Sequence, residues 1–380
     1  MANRRLEMAN LEAVLQRCSV ENLGRLNTKL FMEITLGQSL LLFVCSLVLV
    51  GIITPAIRNL AIRFDVIDRP SESHKTHSAP VPYLGGLSIV IGVVVITFAA
   101  ILFSSNIDLL GLASTVIAPA ILMGIIGLVD DIKRLSPWPR FVAQNIVGLS
   151  MALVLVSTNT LGAPIGNFYL DLIITVFWIV GITNSINFFD NVDGGASGTV
   201  AISSMFLFIV SYQGGQYFVA ALSIVLSGST AGFLIWNRAP ARIYMGDAGA
   251  LFLGVLIASL TLRFDPNPID RVASFAIPIF LLAVPILDTT VVVLSRLNRG
   301  VSPFQGGQDH LSHRLIQNYF SKRTAVLFLW AITTLFGLIA LVISVAPFRL
   351  ERVIAVLSLL LWLIGLIVFL RMKLAYRRKT

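Results

Sequence analysis

The chain has 380 residues, of which 56% are hydrophobic and 12% charged, with a net charge of +9 and a mean hydropathy of +0.87. Soluble domains carry about 25% charged residues, so this composition excludes a soluble globular fold, a disordered chain and a secreted disulfide scaffold. Two cysteines, Cys18 and Cys45, make no metal or disulfide pattern, and no nucleic-acid motif accompanies the positive charge.

Length alone would suggest about two soluble domains, but the apolar spacing predicts one polytopic membrane domain. A helix needs about 20 apolar residues to cross a bilayer. Eleven candidate runs follow one another at 36–55, 84–103, 107–129, 141–157, 168–186, 197–212, 216–236, 249–262, 272–294, 324–345 and 351–370. They are continuously apolar, whereas barrel strands would alternate. The expected fold is therefore an all-α integral membrane protein of about eleven transmembrane helices.

Arginine and lysine set the expected orientation. Alternate connections on one side hold 19 of them and those on the other side 4, with 5 more in the first 35 residues. The positive-inside rule makes the richer side cytoplasmic. The C-terminus is then cytoplasmic and the N-terminus outside. Residues 1–35 form an N-terminal extension that strains this picture, since Arg4, Arg5, Arg17, Arg25 and Lys29 would face outward. One reading is that translation begins at Met32; the other is an amphipathic surface helix. Residues 36–380 form the single membrane domain.

The polar residues that could carry chemistry gather at the cytoplasmic ends of the runs. First in chain order is ESHKTHSAPVPYLGG, with His74, Lys75 and His77 ahead of Gly85 and Gly86. A basic loop entering a glycine-rich helix start can accept an anion; it could also be a plain inner loop. Next, Asp130 and Asp131 close an apolar run, at a helix C-terminus where the dipole disfavours carboxylates.

In NSINFFDNVDGGASG, Asn187, Asp190 and Asp193 are spaced by three and share one side of a helical turn. Their oxygens suit Mg²⁺ or the hydroxyls of a nucleotide sugar; the alternative is a polar turn. NRAPARIYMGDAGA supplies Asn237 and Asp247, the latter either a functional carboxylate or a simple N-cap. Asp288 lies inside an apolar run and needs a partner or a polar cavity. Last, QDHLSHRL carries His310, His313 and Arg314, residues suited to phosphate oxygens and less so to zinc, as no cysteine accompanies them. Polar groups at the inner edge favour a membrane enzyme over a transporter, which would place them at mid-membrane.

Five of these blocks in this order resemble the polyprenyl-phosphate N-acetylhexosamine-1-phosphate transferase family, glycosyltransferase family 4. They are Lys75 to Gly86, the Asp130-Asp131 pair, the block ending at Gly194, Met245-Gly-Asp247, and His310 to Arg314. The resemblance covers roughly residues 36–380. It implies Asp130 and Asp131 as catalytic and Asp247 as the ligand of a catalytic Mg²⁺, or of Mn²⁺ in its place. It further implies Lys75, His77, Asn187, Asp190, Asp193, Asn237, His310, His313 and Arg314 in substrate and nucleotide binding. The chain departs from the family pattern at Asn191, Gly195, Ala250 and Ser312.

The implied reaction moves an N-acetylhexosamine-1-phosphate, GlcNAc-1-phosphate first among the choices, from a UDP-sugar to undecaprenyl phosphate. UMP is released and cell-envelope polysaccharide synthesis begins. The implied setting is a bacterial inner membrane, with membrane lipid, the UDP-N-acetylhexosamine and undecaprenyl phosphate as partners, no nucleic acid, and a homodimer left open. Alternatives are a phospho-MurNAc-pentapeptide translocase, a transferase for another UDP-sugar and, remotely, a transporter of an anionic substrate.

Overall fold

The computed structural model describes residues 33–68, 80–104, 106, 108–133, 135–266, 270–303, 307–318, 320–347 and 349–372. Lys75 and His77, with His74, lie outside the described residues, as does almost all of the N-terminal extension. Thirteen helices are described: α1 Leu36–Arg63, α2 Gly85–Ser104, α3 Asp108–Lys133, α4 Pro137–Ser157, α5 Phe168–Phe189, α6 Gly195–Gln213, α7 Tyr217–Asn237, α8 Gly246–Arg263, α9 Arg271–Leu281, α10 Ala283–Asn298, α11 Leu311–Gln317, α12 Lys322–Val345 and α13 Leu350–Arg371. Ten are long and apolar enough to cross a membrane, and the bent pair α9–α10 makes an eleventh candidate. The protein is a multi-pass membrane protein.

In hydrocarbon every backbone polar group must be satisfied inside the chain, which is why these apolar runs become helices. Their starts carry the expected caps. Thr35 and Gln38 form a reciprocal capping box on α1, while Asn167 caps α5, Asp270 caps α9 and Ser321 caps α12. One feature is not helical: β1 (Ile67–Asp68) and β2 (Val81–Pro82) pair antiparallel, Ile67 opposite Pro82 and Asp68 opposite Val81.

The ninth run differs from a straight span. It breaks at Leu282, and its halves meet at 80°. Pro278 lies inside α9 and Pro285 in the first turn of α10. A proline there lacks an N–H that the first turn leaves unbonded in any case. The Ala283 carbonyl in the first turn of α10 accepts from the Trp362 indole at 3.1 Å.

The core is built around α8, whose residues from Ala248 to Thr261 are buried. It packs against α3, α5 and α2. Helices α6 and α7 pair beside it, and α1 and α13 expose apolar faces at the periphery. Gly127 makes the α3–α8 contact close enough to matter, since a Cβ there would overlap the Asp247–Ala248 backbone. This brings the last turn of α3 against the first turn of α8.

Candidate active site

The polar blocks meet at one end of the bundle. The C-terminal turns of α3, α5 and α7 and the N-terminal turns of α4, α6 and α8 all reach it. Asp131 accepts from the backbone N–H of Asp247 at 2.8 Å and of Ala248 at 3.0 Å, so it supplies the cap of α8 from another helix. Gly246 makes this possible: its φ of +73° belongs to the left-handed region, and the Asp131 carboxylate stands where its Cβ would be. Asp247 itself does not act as the N-cap. Its carboxylate is left for side-chain partners.

Those partners are Arg140 and Asn187. Arg140 Nη1 contacts both Asp130 Oδ2 and Asp247 Oδ2, and Asn187 Nδ2 donates to Asp247 Oδ1 at 2.7 Å. Asp130, which is 7% exposed, also accepts from Leu135 N–H at 2.6 Å. Asp130, Arg140, Asp247 and Asn187 thus form one continuous polar chain, with Asp131 beneath it. Asp190 stands beside the group at the end of α5. Burial, then the charges of Asp247 and Asp193, raise its carboxyl to about 7. Tyr244 feels the same negative field. Burial first, then Asp193, Asp68 and Asp190, push its phenol well above the ordinary range.

Sequence reasoning missed Arg140, which it counted only as a topological charge. A signal was present. Arg140 lies in the first turn of α4, where the helix dipole disfavours a cation, and such a placement asks for carboxylate partners. The Lys75–Gly86 block reaches the site through its end: Tyr244 N–H donates to Pro82 O at 2.9 Å, while Gly85 and Gly86 donate to Tyr244 O and Met245 O at 2.9 and 2.8 Å.

Other expected site residues have structural bonds. Asn237, 2% exposed, accepts from Gly194 N–H and Ser197 Oγ and donates to Ile243 O, stapling α6 to the loop before Asp247. Asp193 Oδ2 accepts from Ala241 N–H at 3.0 Å in the same loop. Arg314 is 1% exposed and does not reach the carboxylate group. Its three nitrogens donate to Asp309 O, Ser295 Oγ, Phe369 O and Met372 O. It ties the 309–314 segment to α10 and α13, where the sequence reading had it touching phosphate.

His310 is held by Asp288, the carboxylate left without a partner in the sequence. His310 Nδ1 lies 2.7 Å from Asp288 Oδ2, and Leu311 N–H donates to Asp288 Oδ1 at 2.7 Å. A carboxylate at Nδ1 keeps the proton there and leaves Nε2 as the working nitrogen. The imidazole meets Phe188 edge-on, with ring centres 6.5 Å apart, and His313 at 5.7 Å. Burial, then His310, lower the His313 pKa to about 4, and its Nδ1 has no hydrogen-bond partner among the described residues. Ser312 Oγ bonds to Asn191 Oδ1, so two of the chain's departures from the family pattern touch each other.

Asp130, Asp131, Asp190 and Asp247 outnumber the single guanidinium among them, and the available donors are all oxygen. That chemistry fits a hard divalent cation. In this arrangement Arg140 supplies the positive charge between Asp130 and Asp247. Among the described residues no three histidine, cysteine or carboxylate side chains converge on one point.

The glycosyl transferase family 4 pattern matches residues 112–265, the stretch that carries every carboxylate of this group. A Bacillus subtilis protein named as a probable undecaprenyl-phosphate N-acetylglucosaminyl 1-phosphate transferase is 34% identical over 316 residues, 80% of this chain and 84% of that relative. The chain belongs to glycosyl transferase family 4. A decaprenyl-phosphate N-acetylglucosaminephosphotransferase of Mycolicibacterium smegmatis is 31% identical, covering 74% of this chain and 76% of its own length. A phospho-N-acetylmuramoyl-pentapeptide-transferase of Halalkalibacterium halodurans is 28% identical, covering 80% and 96%. Within this family 4 chain the matched segment begins inside α3 and ends just past α8, the two helices whose contact builds the site.

Proposed function

We propose that this chain transfers GlcNAc-1-phosphate from UDP-GlcNAc to undecaprenyl phosphate, releasing UMP. The observation that carries the reading is the recessed polar chain Asp130–Arg140–Asp247–Asn187, at one end of a membrane bundle whose relatives bear the names above. The Lys and Arg asymmetry supports placing that end in the cytoplasm, the C-terminus with it and the N-terminus outside, in a bacterial inner membrane. A lipid phosphate anchored in the bilayer then meets a soluble nucleotide sugar at the interface.

An oxygen of the lipid phosphate attacks the phosphorus that bears the sugar. The anhydride bond to the UMP phosphate breaks, and UMP leaves with the bond's electrons. Asp130, already a hydrogen-bond acceptor in the recess, is placed to take the proton of the lipid phosphate. Asp131 acts from below by fixing the start of α8 and so the position of Asp247. Arg140 is the cation that can turn from the carboxylates to phosphate oxygens as negative charge arrives. His310, with Nδ1 held by Asp288, offers Nε2 toward the donor across Phe188. Asp247, with Asn187 beside it, would hold Mg²⁺, which when bound neutralises diphosphate charge.

Purified protein in detergent, given undecaprenyl phosphate, Mg²⁺ and a panel of UDP-sugars, tests this. UMP release with UDP-GlcNAc and its loss with EDTA are expected. The relative from Halalkalibacterium favours a second reading, in which UDP-MurNAc-pentapeptide is the donor; release with that donor alone would establish it. Silence of folded protein with every donor would reject both.

A further inference from the structure

A second polar recess lies on the same end of the bundle, beside the catalytic group and reaching it through Asp193. It is a cleft of about 560 Å³ between the last turn of α7, the 238–242 loop and the first turns of α12. Asp193 is at its floor, and Trp236, Arg238, Arg242, Arg323 and Trp330 line it. The start of α6 closes it from below, with Trp330 packed over Gly198.

We propose that this cleft binds the headgroup of an anionic phospholipid, with the acyl chains lying along α12 past the exposed Ile235 at the end of α7. Charge is the first argument. Arg238, Arg242 and Arg323 are exposed, and none of them forms an ion pair among the described residues. Three guanidinium groups converging without carboxylate partners repel one another and favour an anion with several oxygens. Arg242 is set for such a partner, its guanidinium stacked 5.4 Å from the centre of the Trp236 ring. The floor carboxylate offsets only part of the rim: Asp193 brings one negative charge against three guanidinium groups, and its Oδ2 is already bonded to Ala241 N–H within the loop.

Depth is the second argument. The cleft spans the ends of two membrane helices, and tryptophans concentrate at the headgroup level of a bilayer. Its side lips are apolar and open. Ile235, the one exposed residue of α7, is 47% and Leu327 59% exposed, and α12 continues outward through Phe328, Leu335 and Leu338. A soluble anion would have no use for such lips, whereas a phospholipid would cover them with its chains. Basic pockets between spans on the cytoplasmic side commonly take acidic headgroups in this way. The acceptor polyprenyl phosphate is a poorer occupant, since its phosphate must reach Asp130 and Asp247.

The test uses full-length protein purified in detergent and exposed to an equimolar mixture of phosphatidylglycerol and phosphatidylcholine with the same chains. Bound lipid is counted by native mass spectrometry. Wild-type protein should retain phosphatidylglycerol preferentially. In the Arg238→Ala/Arg323→Ala variant that preference should fall about thirtyfold, since each arginine near the surface contributes about fivefold to lipid attraction; Arg323→Lys should keep most of it. Equal retention of the two lipids by the wild type would overturn the proposal, as would an undiminished preference in the folded double variant. Displacement of phosphatidylglycerol by inorganic phosphate would mark a soluble-anion site, and one-for-one displacement by undecaprenyl phosphate would assign the cleft to the acceptor; either overturns it. Should the double variant not fold, the wild-type comparison and the exposed single change Arg323→Gln decide the matter.

Discussion

Asp131 accepts a hydrogen bond from the backbone of Asp247 at 2.8 Å, although 116 residues separate them. One carboxylate thereby sets the start of the helix that presents another. This gives Asp131 a mechanical task that can be separated from its charge. Asp131→Ala removes both acceptors and should cost about 1 kcal/mol in stability, the usual worth of a cap. Asp131→Asn keeps one acceptor oxygen and should melt close to wild type, but it removes a negative charge beside Asp130 and Asp247 and should lose about a hundredfold in turnover if that charge helps hold the metal. Thermal melting and UMP release, measured on the same preparations, check this. Near-normal turnover in Asp131→Asn would leave only the capping role.

Arg140 bridges Asp130 and Asp247. Arg140→Ala should lower the melting temperature in the absence of substrate, because two recessed carboxylates lose their shared cation. It should also lower kcat, as the developing charge on the transferred phosphate loses a donor. Asp247→Asn should lower turnover by about a hundredfold or more while relieving part of that repulsion. The double variant Arg140→Ala/Asp247→Asn should therefore melt higher than Arg140→Ala alone, an ordering that differential scanning fluorimetry reads directly.

Asp288 is fully buried and bonded twice to the 310–311 segment. Asp288→Asn preserves an acceptor for Leu311 N–H but ends the charge-assisted hold on His310. The expected result is a folded protein with reduced kcat and little change in melting. Asp288→Ala should in addition lose about 1–3 kcal/mol, because a buried N–H is left without a partner. Comparable turnover in Asp288→Asn and wild type would show that the orientation of His310 does not limit the reaction.

His313 gives the pH dependence a definite sign. Its folded-state pKa of about 4 lies below the ordinary 6.5, with burial the largest cause and His310 next; Asp288 and Asp309 oppose the shift and Lys322 adds to it. The neutral form is favoured in the folded state. Its contribution is present above pH 6.5 and is lost as the pH falls toward 4, up to about 3 kcal/mol in all. Asp190, its carboxyl raised to about 7 by burial, changes stability in the opposite sense, so the His313 share is read as a difference: from pH 7 to pH 5 wild type should lose melting temperature relative to His313→Gln. A parallel change in both proteins would exclude a His313 share.

The sequence by itself determined that the chain crosses a membrane, and nearly where. Continuous apolar runs become helices because hydrocarbon leaves the backbone no other partner, and the helices match those runs to within about four residues at each end, except that α1 continues eight residues further to Arg63. Local spacing also singled out Asp130, Asp131, Asn187, Asp190 and Asp247, since carboxylates at the edges of apolar runs are costly without a purpose. What local pattern could not decide was which of them touch. That Asp131 caps α8 while Asp247 reaches Arg140 follows from the close α3–α8 contact at Gly127.

The same limit explains the other differences. Arg314 and Asn237 looked like ligand contacts because polar residues at span ends attract that reading. Tertiary packing surrounds them with carbonyl and hydroxyl partners, and they hold the site's neighbours in place. The break at Leu282 was written in two prolines, yet its consequence, an aspartate aligned with His310, depends on how α10 meets the 310–311 segment. Ser312 and Asn191, two separate departures from the family pattern along the chain, proved to be one hydrogen bond across 121 residues. Hydropathy acts through the solvent each residue would face and is legible one segment at a time; hydrogen bonds and charge pairs depend on distances that exist only once the helices have packed.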